Sequence, residues 1–221
     1  MKKYVYILVA IFACIMFNSC GNNSKTSDSS PKISAERQKF IADSLAKEQA
    51  RLDAINLETI EKCKPLFSEK SDEFSDFVWV TPKTAPKYVN QNGVFCYFGM
   101  DGGKPVALRF KYQYHSDEWL FIKNMIFNID GENITIVPDM DTDCGNGGKI
   151  WEWCDETVVG GNSEYSVNEK FIAKIANAKS VKVKMNGSQY YDTRTLTAEQ
   201  IKSIKDTYEY YKALGGKFTE I

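Results

Sequence analysis

Three aspartates at alternate positions form the most metal-like segment of the chain. Asp139, Asp141 and Asp143 have the spacing by which calcium-binding loops place hard oxygen ligands around a cation. Two positions depart from that pattern: the sixth, normally Gly, is Cys144, and the twelfth, normally Glu, is Ile150. The flanks are also predicted to be strands rather than helices. We therefore favour a polar inter-strand loop rich in turn-forming residues, with calcium binding as the alternative.

A second pattern joins acidic residues to aromatic ones. Glu152, Asp155 and Glu156 flank Trp151 and Trp153, and glycoside hydrolases use pairs of carboxylates as acid and base. In an alternating strand, however, Glu152 points away from both tryptophans. The simpler interpretation is two core tryptophans with acids facing solvent, and the alternative is a carboxylate-dependent hydrolase acting on carbohydrate.

His115 is the single histidine of the chain. Any Ser-His-Asp or Cys-His arrangement, and any histidine-containing metal site, must therefore use it. The sequence places it at a hairpin tip on a polar face, where we expect a solvated turn residue. No catalytic residue is predicted, and the pattern favours a non-enzymatic domain.

Four cysteines follow the N-terminal segment: Cys63, Cys96, Cys144 and Cys154. In an exported chain they suggest disulfides, and three pairings are open. Cys144 with Cys154 is the first choice, because their separation can close one loop. Cys96 lies in the middle of a predicted strand and can instead be a lone core thiol. The absence of a CxxC sequence gives redox or zinc chemistry little support.

The tyrosines Tyr112, Tyr114, Tyr190 and Tyr210 are candidate members of a ligand-binding surface. Tyr190 and Tyr210 are each followed by another tyrosine, so one member of each adjacent pair is expected to face outward. An exposed aromatic patch of this kind suggests a glycan or a protein partner.

The elements that position these residues are clearest in residues 106–137, which predict three successive antiparallel strands. Apolar residues alternate from Val106 to Tyr114, the period of a half-buried strand. A second strand is expected from Trp119 to Ile129. Asp130-Gly131 then supplies the tight hairpin, and Ile134 to Val137 returns.

Shorter patterns complete the domain. Ser166 to Glu169 and Thr197 to Gln200 look like capping boxes that open two helices, and a hairpin surrounds Asn186-Gly187. The resulting fold class is α+β, an antiparallel meander sheet with helices packed on one face. The remaining predicted strands are Phe74–Val80, Val94–Phe98 and Ile150–Val159.

The N-terminus has the layout of an export signal. Lys2 and Lys3 precede an uncharged run of 14 residues up to Phe17, too short for a comfortable transmembrane helix. The run ends in Phe17-Asn18-Ser19-Cys20-Gly21, which resembles the lipobox of bacterial lipoproteins of the Bacteroidetes type. The resemblance implies that Cys20 is lipidated and becomes the mature N-terminus. Cys14 is a rival position, and an ordinary signal peptide is the alternative.

The chain is therefore divided into four parts. Residues 1–19 are the lipoprotein signal peptide, 20–33 the lipidated cysteine and a flexible polar tether, 34–66 a helical stalk, and 70–221 the α+β domain. Pro65 is expected to end the stalk helix. A coiled-coil dimer is the alternative to a solvated stalk, but the apolar seam is interrupted.

The net charge and the predicted lipid anchor indicate where the protein is located and which partners are not expected. The formal net charge is −1, without a basic patch, so nucleic-acid binding is not expected. Acyl chains would hold the protein on a membrane. By resemblance to lipoproteins of this type, Gly21 after the cysteine and the lack of an acidic cluster favour the outer membrane, facing the periplasm.

A second resemblance covers residues 75–214. The spaced segments WLFIK, MIFNIDG, IWEW, KIANAKSVKVKMNG and YYDTRTLTAEQ are similar to a domain found in uncharacterised bacterial lipoproteins. That resemblance implies a lipoprotein-borne globular domain and no catalytic residues. The sequence thus predicts a lipid-anchored cell-envelope protein with a non-enzymatic binding or interaction domain. The alternatives are the carbohydrate hydrolase and a calcium-stabilised adhesion domain.

Overall fold

A computed structural model describes residues 35–71, 73–145, 147–161 and 163–219. The predicted signal peptide, Cys20 and the tether lie outside these residues. Contacts between Cα atoms divide the chain into two units at Ala46 and Lys47. The described part of the first unit is the beginning of a largely exposed helix. The second unit contains the rest of that helix and the sheets.

The elements confirm the α+β class. Helix α1 ends before Pro65, as expected, and a short 3-10 helix, Lys64–Leu66, follows it. In the described ranges no helix combines the length and the hydropathy needed to cross a bilayer. The helices are α1 (Ala35–Cys63), α2 (Glu169–Ala176) and α3 (Ala198–Ala213). The strands are β1 (Phe67–Ser71), β2 (Val78–Pro82), β3 (Gly93–Asp101), β4 (Lys104–Ser116), β5 (Asn124–Ile129), β6 (Glu132–Ile136), β7 (Asp141–Cys144), β8 (Ile150–Thr157), β9 (Val181–Asn186) and β10 (Tyr191–Thr195).

The strands form two antiparallel sheets rather than one meander. The first has the order β1-β2-β3-β4-β8-β7, and the second has the order β10-β9-β5-β6. The prediction that β4 pairs with the strand after it is wrong, because β4 pairs with β3 and β8 while β5 pairs with β6 and β9. The second strand also begins at Asn124, not at Trp119. Residues 117–123 form a loop that connects the two sheets.

The alternation predicted for β4 is confirmed. Leu108, Phe110, Tyr112 and Tyr114 are buried, while Val106, at the strand's beginning, is exposed. The tight hairpin between β5 and β6 is also confirmed, since Asp130 and Gly131 both have positive φ, 49° and 94°. Strand β1 was not predicted: its alternate residues carry no apolar pattern, and Phe67 is its single buried residue.

The core lies between the two sheets and the helices α2 and α3. Phe110 of β4 contacts Phe127 of β5, with ring centroids 6.2 Å apart, and Phe171 of α2 at 5.6 Å. Phe98 of β3 contacts Tyr211 of α3 at 5.6 Å. These edge-on aromatic contacts join both sheets and both helices into one apolar cluster.

The helix caps are partly as predicted. Thr197 and Gln200 form the capping box of α3. Helix α2 is capped by Asn168, whose side chain accepts the N–H of Phe171, and not by Ser166. The Ser166 hydroxyl instead donates to the carbonyl of Ser163.

Candidate functional site

Strand β8 presents the opposite faces from those predicted. Glu152 is fully buried, whereas Trp151 and Trp153 are only half-buried. The register explains the inversion, because Glu152 lies opposite Tyr114, a core residue of β4, and Trp153 lies opposite Gln113. The expectation of core tryptophans with a solvent-facing Glu152 is therefore wrong. The apolar phase of β8 is set by Ile150 and Cys154, and Glu152 occupies that phase.

The buried carboxylate of Glu152 binds three consecutive backbone N–H groups. Its Oε1 accepts from Leu120 at 2.7 Å and from Phe121 at 2.9 Å, and its Oε2 accepts from Ile122 at 2.8 Å. A buried charge is tolerated only when such bonds satisfy it, and hydrogen bonds to an ionised acceptor are about twice as strong as neutral ones. Glu152 therefore fixes the backbone of the loop that connects the sheets.

We call residues 117–123 the aromatic loop, because it carries two aromatic rings: that of Phe121, which is exposed, and that of Trp119, which is half-buried against the core. Phe121 is 51% exposed and has a φ of 51°, a left-handed conformation that is unfavourable for a bulky residue. Its ring stacks on that of Trp119, with centroids 5.2 Å apart and planes within 9°. A strained, exposed aromatic residue that is held by a dedicated buried charge is typical of a functional site.

The turn between β9 and β10 supports the aromatic loop from the side. The N–H of Ser188 donates to the carbonyl of Leu120 at 3.0 Å, and the N–H of Lys123 donates to the carbonyl of Asn186 at 2.8 Å. Gly187 allows this approach, because a Cβ there would lie 2.0 Å from the Leu120 oxygen. The loop is thus held on two sides by polar contacts.

The predicted tyrosine surface is largely wrong. Tyr112, Tyr114 and Tyr210 are buried, since their strand and helix faces point into the core. Tyr190 is 64% exposed, as predicted. The expectation that one member of each adjacent pair faces outward is wrong, because Tyr191 is also exposed and Tyr211 is buried like Tyr210. Tyr190 closes the turn beside the aromatic loop, where its carbonyl accepts the N–H of Gly187. Of the candidate tyrosines, Tyr190 is therefore the one available to a ligand.

A polar network lies on the face of the first sheet that points away from the core. The Tyr97 hydroxyl donates to both oxygens of Asp155 at 2.8 and 2.7 Å. Arg109 Nε donates to the same carboxylate at 2.7 Å, and Lys111 Nζ at 3.1 Å. Two cations and a hydroxyl thus surround one carboxylate, at positions that are neighbours across strands β3, β4 and β8.

These partners decide the ionisation of Asp155. Burial alone would raise the pKa of its carboxyl, but the hydrogen bonds from Tyr97 and Arg109 and the charge of Lys111 outweigh burial, so the pKa is lowered. Burial and the bond to Asp155 raise the pKa of the Tyr97 hydroxyl. Asp155 is consequently ionised near neutral pH.

The hydrolase alternative depends on carboxylates that share a cleft. A cleft of about 500 Å³ is lined by Arg109, Asp155, Glu156 and Glu164, among others. Asp155 is engaged by its cations, and Glu156 Oε1 accepts the backbone N–H of Asp139 at 2.8 Å. A general acid needs a raised pKa, whereas that of Asp155 is lowered. The geometry therefore favours a structural ion-pair network over an acid/base pair.

The aspartate-rich segment is only partly a loop: Asp141 and Asp143 lie in the edge strand β7, whereas Asp139 precedes it outside any strand. Asp141 lies opposite Trp153 and Asp143 opposite Trp151, and both aspartates are exposed. Asp143 also accepts the N–H of Cys144. Among the residues that the structure describes, no group of three or more His, Cys, Asp or Glu side chains is placed to hold a metal ion. Asp139, Asp141 and Asp143 are accordingly not brought together as the calcium ligands that the spacing suggested.

His115 is not at a hairpin tip but near the end of β4. It is half-buried opposite Trp151. Its backbone N–H donates to Asn92 Oδ1 at 2.8 Å, and its carbonyl accepts from Arg194. Both contacts use the backbone of His115 and hold the end of β4 in place.

The predicted Cys144–Cys154 disulfide is wrong. Both thiols are free. Cys144 lies opposite Ile150, four residues along β8 from Cys154, which is about 13 Å at the rise of a strand and beyond the reach of a disulfide. Cys144 is exposed, whereas burial raises the pKa of Cys154 to about 12. Cys96 is a buried free thiol in β3, in agreement with its alternative interpretation.

No family model, curated protein or solved structure matches this chain.

Sequence reasoning missed the aromatic loop, because Trp119 and Phe121 fitted the alternation of a strand. The available signal was the phase of β8: Ile150 and Cys154 are apolar, and the charge of Glu152 between them required partners inside the protein.

Proposed function

We propose that the chain is a lipid-anchored cell-envelope protein, held in the outer membrane and facing the periplasm, whose domain binds a partner without catalysis. Support for the anchor comes from the sequence: Lys2 and Lys3, the apolar run, and Ser19-Cys20 followed by a polar tether. Acyl chains on Cys20 would hold the protein at the membrane surface.

The observation that carries the binding role is the aromatic loop. Phe121 is exposed and stacks on the half-buried ring of Trp119, and Glu152 fixes the loop backbone beneath them. A side chain that is already ordered loses little entropy when a partner binds, so the free energy of contact is retained as affinity. The engaged state of Asp155 favours binding over hydrolysis.

The anchor is tested by labelling cells with an alkyne analogue of palmitate. The full chain and its Cys20→Ala variant are compared, with Cys14→Ala as the matched control. We expect label in the wild type and in Cys14→Ala, and none in Cys20→Ala. Equal labelling of all three chains would contradict the assignment of Cys20.

The binding role is tested with a photoreactive benzoylphenylalanine in place of Phe121. The control position is Tyr88, which is 57% exposed and lies in a turn far along the chain from the aromatic loop. After irradiation of intact cells, we expect a discrete adduct from position 121 and none of that mobility from position 88. The same pattern from both positions, or no adduct from position 121, would count against a specific contact at the loop.

A further inference from the structure

We infer that the aromatic loop binds a polysaccharide, with a pyranose ring stacked on the open face of Phe121. This inference rests on the proposed binding role and names the ligand class for the same site. Three features of the site carry it: the exposed ring of Phe121 stacked on Trp119, the buried carboxylate of Glu152 that fixes the loop backbone, and a rim of polar and charged groups.

The geometry of the two rings suits a sugar. Their planes are within 9° of parallel and their centroids are 5.2 Å apart, so one face of Phe121 is covered by Trp119. Phe121 remains 51% exposed. The open face of a stacked ring is a flat apolar surface of about the size of a pyranose, whose axial C–H groups form a complementary apolar face. A protein partner more often inserts a side chain into a pocket, whereas Phe121 offers an exposed flat ring.

The polar rim favours a sugar over a lipid bilayer. Asp117 and Glu118 precede Trp119 and are both exposed, and Lys123 follows the pair. Insertion of the rings into a membrane would carry these charged groups, including Asp117 with its ion-pair partner Lys149, to the headgroups, where their dehydration is costly. Sugar hydroxyls, by contrast, donate to carboxylates. Tyr190, exposed on the adjoining turn, adds another aromatic ring with a hydroxyl.

The fixed backbone gives the site its selectivity for shape. The N–H groups of residues 120–122 are all bound to Glu152, so Phe121 cannot leave its left-handed conformation without breaking a buried charged hydrogen bond. A rigid flat ring discriminates flat ligands from flexible apolar ones. Binding should therefore depend on the aromaticity of residue 121 and not only on its hydrophobicity.

The test is co-sedimentation of the full-length, detergent-solubilised protein with three insoluble polysaccharides: cellulose, chitin and purified peptidoglycan sacculi. We expect saturable binding to at least one of them. Phe121→Tyr, which keeps the ring, should bind within about twofold of wild type. Phe121→Leu, which keeps only the apolar character, should bind roughly tenfold more weakly. Tyr88→Leu is the matched control and should bind like wild type.

Two results would overturn the inference. One is the absence of binding to all three polysaccharides. The other is equal binding by Phe121→Leu and Phe121→Tyr, since stacking would then not be the interaction. Flotation of the Cys20→Ala chain with phosphatidylethanolamine–phosphatidylglycerol vesicles, lost in Phe121→Ser, would assign the loop to a membrane and also overturn it. A photo-adduct from position 121 without polysaccharide binding would leave the binding role standing and remove the ligand class.

Discussion

Replacement of Glu152 by Gln tests whether the buried carboxylate holds the aromatic loop. The Gln oxygen can still accept from Leu120 and Phe121, but its amide nitrogen would face the N–H of Ile122, donor against donor. Hydrogen bonds to a charged group contribute about 1.5–3 kcal/mol each, and an unsatisfied buried donor costs about 1–3 kcal/mol. Part of this is offset because a charge no longer has to be buried. We expect a net loss of about 3 kcal/mol in the free energy of unfolding.

The assay is urea denaturation followed by tryptophan fluorescence. With a denaturant dependence of about 2 kcal/mol per molar urea, the midpoint should fall by about 1.5 M. Glu156→Gln is the matched control, because that carboxylate accepts a single backbone N–H, from Asp139, and should cost less than about 1 kcal/mol. A Glu152→Gln variant within about 0.5 kcal/mol of wild type, or equal to Glu156→Gln, would refute the role assigned to Glu152.

Three further outcomes are expected. Phe121→Gly should be more stable than Phe121→Ala by about 1 kcal/mol, because glycine adopts positive φ without strain; thermal unfolding of the pair measures it. Asp155 has a lowered pKa in the folded protein, so its stabilisation is fully present above the ordinary aspartate pKa of about 3.9 and is lost as the pH falls through the lower folded value. The difference in unfolding free energy between wild type and Asp155→Asn should therefore shrink below about pH 4. Among the four cysteines that follow the tether, Cys144 should react first with a maleimide in the folded protein.

Each of these outcomes has a clear contrary. Equal stability of the Gly and Ala variants would mean that residue 121 carries no backbone strain. A constant difference between wild type and Asp155→Asn from pH 7 to pH 3, set against Asp101→Asn as an exposed control, would contradict the network around Asp155. If Cys144 reacts with maleimide only after a reductant is added, it is in a disulfide, and the assignment of Cys144 as a free thiol is wrong.

Local patterns in the sequence predicted the parts of the fold that depend on local physics. The alternation in β4, the Asp130-Gly131 hairpin and the capping box at Thr197 each follow from residues within one element. They needed no knowledge of distant partners.

The parts that failed depend on partners far along the chain. Glu152 binds N–H groups 30 to 32 residues earlier in the chain. These bonds hold residues 120–122 in a loop, so the strand expected to begin at Trp119 begins at Asn124 instead. They also place Glu152, rather than the two tryptophans, on the buried face of β8. The division into two sheets has the same origin, because the loop takes the chain from β4 to β5 without a hairpin. Tyr112 and Tyr114 lie on the face of β4 that the alternation itself marks as apolar, so the pattern argues against their exposure. Tyr210 is buried because α3 packs it against Phe67 and Phe98, which lie far away in the sequence.

Amide hydrogen exchange at residues 120–122 tests the central claim most directly, namely that Glu152 holds the aromatic loop in a fixed, exposed conformation. We expect the amides of Leu120, Phe121 and Ile122 to exchange slowly in the wild type although Phe121 is at the surface. In Glu152→Gln they should exchange faster, while amides in β4 keep their protection. Exchange of these three amides in the wild type at the rate of the exposed Asp117 and Glu118 would contradict the claim.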